Sequence, residues 1–330
     1  MTRRGAAVWA IAGLAIVGVI GLVVWTRQDE RRARRERAAY LESQKPYAAR
    51  VLEVVGAVPD ELAESSGVAV SRAQPGVLWS HNDSGDGPNV YAMSLSGQLL
   101  ATVRLTGAAA DDWEDIAAGP CPASVLVTTS AERGAPNCLY LADIGDNRGV
   151  RDVLTVYVVV EPALDRMGGT TSTAAAQSFR YRYRNEPHDS EAFAVAPSGD
   201  VTIVTKDRSG TSDFFGLSRD QVAGAIRSGA VLTAELLGDT GITSNPSIGR
   251  LVTAAAVSPD GTTLAVRTYN EVFFFGAGVD GRGWKDLGRP CFLGPAEPQG
   301  EAIDYLDDQT LVLTSERGAR LPGVIHRLQC

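Results

Sequence analysis

Histidine and cysteine are scarce in this chain, with three and four residues among 330. The histidines, His81, His188 and His326, lie far apart, and there is no His-Glu-x-x-His helix, no nucleophile elbow and no phosphate-cradling glycine loop. Zinc-protease, α/β-hydrolase and P-loop chemistry are thereby excluded, and spacing alone assembles no serine–histidine–acid triad. Basic charge is also short, with 31 Lys and Arg against 39 Asp and Glu. Ten of those bases and only four of the acids fall in the first 50 residues, which leaves −14 on the remainder. A globular part this acidic is not expected to have a nucleic-acid partner.

Long apolar runs are missing with one exception. Ala6 to Trp25 is unbroken by charge, and about 20 residues at ~1.5 Å rise reach ~30 Å, one bilayer core. Trp9 and Trp25 stand near its ends, where interfacial aromatics belong. A cleavable signal peptide would have a shorter apolar region and a small-residue site after it, and none follows Trp25. The expected organisation is an N-terminal tail (1–5), a transmembrane helix (6–26), a charged helical stalk (27–50) ended by Pro46, and a globular domain (51–330). Orientation draws two opposed readings. Arg3 and Arg4 precede the span while Arg27, Arg31, Arg32, Arg34, Arg35 and Arg37 follow it, which by the positive-inside rule puts the domain in the cytoplasm. Against this, Cys121 and Cys138 flank an insertion, and Cys291 and Cys330 lie near the end of the chain. An even cysteine count near loops and termini predicts disulfides and an extracytoplasmic domain, four free thiols being the other reading.

What is abundant is a repeated phrase. Ser190-Glu191-Ala192-Phe193-Ala194-Val195 and Val201-Thr202-Ile203-Val204-Thr205 alternate apolar and polar residues around a Pro197-Ser198-Gly199-Asp200 turn, the signature of a hairpin. Looser copies begin at Ser66, Glu114, Thr253 and Glu301. Small antiparallel sheets recurring every 40 to 50 residues or so predict an all-β fold, a β-propeller. The blades are read as Ser66–Leu105, Glu114–Arg184, a third from Glu191, a fourth from Thr253, and Glu301–Leu328. The lone strand Val51–Val55 is expected to complete the last blade and close the ring, removing exposed sheet edges. Within the second unit, Gly168–Ala176 reads as a low-complexity loop. In the third, Ser218-Arg219-Asp220-Gln221 fits a capping box, with a short helix to Gly229 and an outer strand Val231–Leu237. The fourth blade's outer strand is placed within Trp284–Leu293. A sixth blade would follow if Val125-Leu126-Val127-Thr128 were a further strand.

First strands line a propeller's channel, so stacking the repeats brings Ser66, Glu114, Glu191, Thr253 and Glu301 to one rim. Second-strand ends add His81, Asn82, Asp83, Asp143, Lys206, Arg267 and Glu316, with Asp115, Asp146, Asp189 and Arg317 nearby. Glu114, Glu191 and Glu301 would repel one another unless compensated. A hard cation such as Ca²⁺ or Mg²⁺, pairing with Lys206, Arg267 or Arg317, raised carboxyl pKa values, or structural hydrogen bonds to neighbouring blades would each serve. With a metal, the same rim could hold an anionic ligand such as a phosphate ester through Lys206, Arg267, His81 and Arg317. Asn82-Asp83-Ser84-Gly85-Asp86-Gly87 resembles part of a calcium loop but lacks the glutamate that would complete it, and reads as a turn.

His81-Asn82-Asp83-Ser84-Gly85, Asp112-Trp113-Glu114-Asp115-Ile116-Ala117, Asp143-Ile144-Gly145-Asp146-Asn147, Asp189-Ser190-Glu191-Ala192 and Gly300-Glu301-Ala302-Ile303 together resemble a group of bacterial propellers described as WD-repeat-like or phytase-like ("esterase-like activity of phytase"). The resemblance covers Val51 to Leu328 and implies calcium-dependent phosphate-ester hydrolysis. The expected function is a membrane-anchored propeller that binds a ligand or protein partner at its channel rim, with Ca²⁺ as the candidate cofactor. Metal-dependent ester hydrolysis and a structural role in the cell envelope are the alternatives.

Overall fold

A computed structural model of the chain describes residues 28–83, 85–126, 136–164, 171–278, 283–295 and 297–330. The tail 1–5 and the expected span 6–26 lie outside the described residues. Among those described, no helix is long and apolar enough to cross a membrane. The chain divides into two compact units, Met1–Pro46 and Tyr47–Cys330. In the first, helix α1 covers 28–44. Its exposed Arg32 and Glu36 pair at 2.8 Å, one turn apart. Such pairs contribute only a few tenths of a kcal/mol, as befits a solvated face.

The second unit is a five-bladed propeller. Strand β1 (Val51–Ala57) lies at the outside of the last blade; the first blade holds β2 (Ser65–Val70), β3 (Val77–Asn82), β4 (Asn89–Ser94) and β5 (Leu99–Thr106). The second holds β6 (Trp113–Pro120), β7 (Asn137–Asp143), β8 (Leu154–Val160) and, beyond the strand β9 (Thr171–Ala175), β10 (Gln177–Arg182). The third has β11 (Ser190–Val195), β12 (Val201–Thr205), β13 (Thr211–Leu217) and, after β14 (Val231–Thr233), β15 (Glu235–Thr243). The fourth has β16 (Val252–Val257), β17 (Thr263–Thr268), β18 (Glu271–Ala277), β19 (Trp284–Asp286) and β20 (Cys291–Phe292). The fifth runs β21 (Gln299–Tyr305), β22 (Leu311–Glu316), β23 (Val324–Gln329) and then β1, paired antiparallel from Val51↔Gln329 to Ala57↔Val324. The strand that opens the domain thus closes the ring, as its unpaired sequence position predicts.

Strand alternation explains why the blades stack. Phe193, Ile203 and Phe215 face a core shared with the second blade, while their neighbours Ala192, Val204 and Phe214 face one shared with the fourth. Five such cores, one per seam, run around the ring, the last joining Val312 and Ile325 to Val68 and Leu78. No seam is open, so closure buries apolar surface that an unclosed sheet would expose.

Two expectations fail at the outer edges. Thr171–Ala175, expected within a loop, is β9 and pairs in parallel with β5 of the first blade. Val231–Thr233, expected at the edge of the third blade, is β14 and pairs in parallel with β10 of the second. For Val231–Thr233 the cause is helix α3. The short α2 (Ala123–Leu126) precedes it in the chain, and α3 itself spans Arg219–Ser228, with the capping box at Ser218 and Gln221 and left-handed Gly229 as its stop. It packs on β10, so the chain leaves it beside the second blade before returning as β15. No sixth blade forms; residues 123–126 of the run proposed for one are helical, and 127–128 lie outside the described residues.

All four cysteines are bridged, Cys121 to Cys138 and Cys291 to Cys330. The second bond fastens the chain end beyond β23 to the fourth blade. Loop entropy for separations of 17 and 39 residues assigns about 3 and about 4 kcal/mol to the two. Cys330→Ser should therefore lower the melting temperature more than Cys121→Ser, and dithiothreitol should reproduce the sum; equal melting with and without reductant would refute this.

Candidate functional site

In every blade the pairing of first and second strands skips one residue: Ser66, Glu114, Glu191, Thr253 and Glu301. A bulge leaves one residue unpaired, bends the strand and re-aims a side chain. The five bulged residues are the ones the repeat alignment puts at the rim. The three glutamates are all buried yet interact electrostatically with one another, Glu191 with both Glu114 and Glu301.

Lys206 directly follows β12. Its ammonium bonds Glu191, both side chains being less than a tenth exposed, and lies 5.8 Å from the centre of the Tyr269 ring. Burial opposes the charge on Lys206, but Glu191, Tyr269 and Glu301 together hold its pKa above the usual value. Five carboxylates act on this one ammonium, Asp83, Glu114, Glu191, Glu301 and Glu316, and Glu64 and Asp112 in turn act on Asp83. Burial, reinforced by neighbouring carboxylates, pushes Asp83 up to about 6, Glu301 and Glu316 to about 7 and Glu191 to about 8. Glu114 is raised well above its ordinary range for the same reasons. Gln299 Nε2 spans two of these acids, donating to Glu301 Oε1 at 2.8 Å and Glu316 Oε1 at 2.9 Å.

Asp83, at the end of β3, and Asp112, ahead of β6, bring one carboxylate oxygen each to within 4.8 Å of one another and of one on Glu114. Asp143 supports this arrangement, accepting from the amides of Asp111 and Asp112 at 3.2 Å and from Arg151 Nη2 at 2.7 Å. Arg151 Nη1 also holds the Gly145 carbonyl at 2.7 Å, fixing the loop that passes over the cluster.

Several residues expected at the rim are used elsewhere. Asp115 is fully buried; its Oδ2 accepts from the amides of Phe193 at 2.9 Å and Ala255 at 3.2 Å, tying three first strands together. His81 is sealed between blades, Nδ1 2.9 Å from Asn82 O and its ring 5.6 Å from Trp113, and burial depresses its pKa to about 4. Arg267, also fully buried, donates to Ala302 O at 2.6 Å, Thr314 O at 3.1 Å and the Glu297 carboxylate. Arg317 pairs with exposed Asp60. The rim therefore gathers the glutamates and Lys206, whereas Arg267 and His81 are absorbed by packing. Strand position marked where each chain segment ends; it carried no sign of which neighbour would claim a long side chain.

The opposite ends of the first strands are crowded. Arg72 donates to Tyr305 O at 2.9 Å and Asp304 Oδ1 at 3.2 Å, and with Ala117, Ala194 and Ala255 it borders a cavity of only about 20 Å³. Beside Lys206 on the rim, a cavity of about 220 Å³ is lined by Asp146, His188, Asp189, Arg208 and Asp213. A broader concavity of about 600 Å³ lies by Asp152, Arg182 and Glu186, and its lining includes none of the hub residues.

No protein-family model matches the chain, and no curated protein matches it. Among solved structures, it is similar to the PQQ-bound aldose sugar dehydrogenase of Streptomyces coelicolor, at 9% identity and TM-score 0.46 over 84% of this chain and 98% of that one. It is also similar to a putative oxidoreductase (glucose dehydrogenase) of Thermus thermophilus, at 14% identity and TM-score 0.42 over 84% and 99%. Likeness at this level carries no argument about activity.

Proposed function

We propose that the chain is a membrane-tethered, extracytoplasmic propeller whose hub binds a positively charged group, with Ca²⁺ as its inorganic partner and a ligand or protein partner entering from the rim. One observation carries the reading: five carboxylates, Asp83, Glu114, Glu191, Glu301 and Glu316, act on the single buried ammonium of Lys206. The tether is supported by the apolar run Ala6–Trp25, and the oxidising side of the membrane by the two disulfides. An anionic ester gripped directly by basic residues is disfavoured, because Arg267 and Arg317 are already paired. The phytase-like resemblance rests on the quoted phrases. Metal-dependent ester hydrolysis is the second reading, favoured by Glu301 and Glu316, which titrate near 7 and so suit acid–base work.

Melting the full chain with EDTA, Ca²⁺, Mg²⁺, spermidine or phosphate tests the proposal. A cation at 100 times its Kd stabilises by about 2.7 kcal/mol, roughly 5–10 °C for a domain of this size. Shifts with Ca²⁺ or spermidine and none with phosphate alone are expected. A chain indifferent to every cation would be a structural module, and a shift with phosphate alone would reverse the proposed sign. Turnover of a chromogenic phosphate ester with Ca²⁺ would select the hydrolytic reading.

A further inference from the structure

Glu114, Glu191 and Glu301 share a repeat position, but the groups closest to forming a cation shell are different. Asp83, Asp112 and Glu114 come from the loop after β3, the segment before β6 and the bulge within β6. Their oxygens lie within 4.8 Å of one another, so an inward shift of a few tenths of an ångström brings all three to the ~2.4 Å of a Ca²⁺–oxygen bond; Mg²⁺ at ~2.1 Å demands a tighter, more regular shell.

Proximity of acids is not sufficient, and two further observations point to an ion. The Glu114 side chain, 5% exposed, accepts no hydrogen bond and enters no ion pair among the described residues. Asp83 Oδ1 is likewise buried without a hydrogen-bond partner. An unpaired buried carboxylate is costly to keep, and the neighbouring cations are committed: Lys206 to Glu191, and Arg151 to Asp143 and the Gly145 carbonyl. The roof of the cluster is also a glycine. A Cβ on Gly145 would fall on Glu114 Oε1 and Asp112 Oδ2, so this loop passes over the two carboxylates only because it has no side chain there.

We infer that Asp83, Asp112 and Glu114 form a Ca²⁺ site at the seam of the first and second blades, roofed by Gly145, with water completing the shell on the half-exposed side of Asp83 and Asp112. The inference rests on the cation-binding reading of the hub but places the ion away from the Glu191–Lys206 pair. Glu191, Glu301 and Glu316 are left to face the incoming ligand.

Calorimetric titration of the EDTA-stripped full chain tests this. Wild type should take up one Ca²⁺ and prefer it to Mg²⁺. Glu114→Gln and Asp112→Asn should each weaken binding at least tenfold, and Gly145→Ala should do so with all three carboxylates retained. Asp60→Asn, which removes an exposed acid outside the cluster, should keep the wild-type affinity. Circular dichroism melting confirms that each variant is folded. No Ca²⁺ uptake by wild type at 10 mM or so would overturn the site. So would a loss in Glu301→Gln equal to that in Glu114→Gln, which would return the ion to the repeat glutamates. The hub reading is judged separately, by spermidine binding to Glu114→Gln: retained binding leaves that reading standing even if the Ca²⁺ site falls.

Discussion

Lys206→Met should destabilise the propeller by about 3–5 kcal/mol at pH 8.5, the usual consequence of leaving a buried charge without its partner. In melting temperature that is a fall of roughly 6–15 °C. Lys206 and Glu191 are both less than a tenth exposed, so little water is available to take over the lost contact. The loss should depend on pH. Burial already raises the Glu191 pKa, with Lys206 the main restraint on it. Without the ammonium that pKa climbs further, and the mutant holds a proton that the unfolded chain, with an ordinary glutamate, has released. A group whose folded pKa is raised contributes stability at low pH and loses it as pH rises through the folded value. The mutant should therefore approach wild type near pH 5 and fall away above pH 8. Glu191→Gln in the same chain should restore most of the loss, since it removes the stranded charge. A Lys206→Met protein melting within 1 °C or so of wild type at pH 8.5 would show that the pair is not an energetic centre of the hub.

The sequence carried the ring better than its edges. Repeats starting at Ser66, Glu114, Glu191, Thr253 and Glu301 were legible because the bulge recurs at the same place in each blade, and a bulged residue escapes the alternation of its strand. Closure by Val51–Ala57 followed from counting strands that lacked neighbours. The parallel edge pairings did not show: Thr171–Ala175 reads as a loop, and the strand from Val231 reads as an edge of the third blade. Each is short, weakly apolar and paired across a blade boundary, so nothing local specifies its partner.

At the hub, composition revealed the acids and concealed their grouping. Asp83 sits in a phrase that turn chemistry already explains, and Asp112 precedes its strand by a single residue. Only the folded path of the Gly145 loop, held by Arg151, brings Glu114 and Asp112 beneath one roof. The arginines misled for a related reason. A long side chain at a strand end can reach inward to carbonyls as readily as outward to a ligand, and Arg267 reaches inward.

That grouping sets how the whole domain should respond to pH. In EDTA, stability should increase as pH falls from 8 towards 5, the gain shrinking below about pH 6.5, where the unfolded chain protonates His81 and the folded chain, with that pKa near 4, does not. Asp83, Glu301 and Glu316 have folded pKa values of about 6, 7 and 7, each raised above the ordinary carboxylate value chiefly by burial. Over that window the folded chain binds protons that the unfolded chain does not, and each such proton adds about 1.36 kcal/mol per pH unit. Buried Glu301 supplies up to roughly 3 kcal/mol. Asp83 and Glu316 are more open, and water screening makes their shares smaller. Below about pH 4.5 the unfolded carboxylates protonate too and the gain stops. Ca²⁺ should flatten or invert the slope, because an ion held by Asp83, Asp112 and Glu114 competes with protons and binds more tightly as they leave. Melting curves at pH 5, 6, 7 and 8, in EDTA and in 5 mM or so Ca²⁺, give the two slopes directly. A melting temperature that climbs with pH in EDTA would mean that the hub acids are already compensated by the chain itself, and the case for an external cation would go with it.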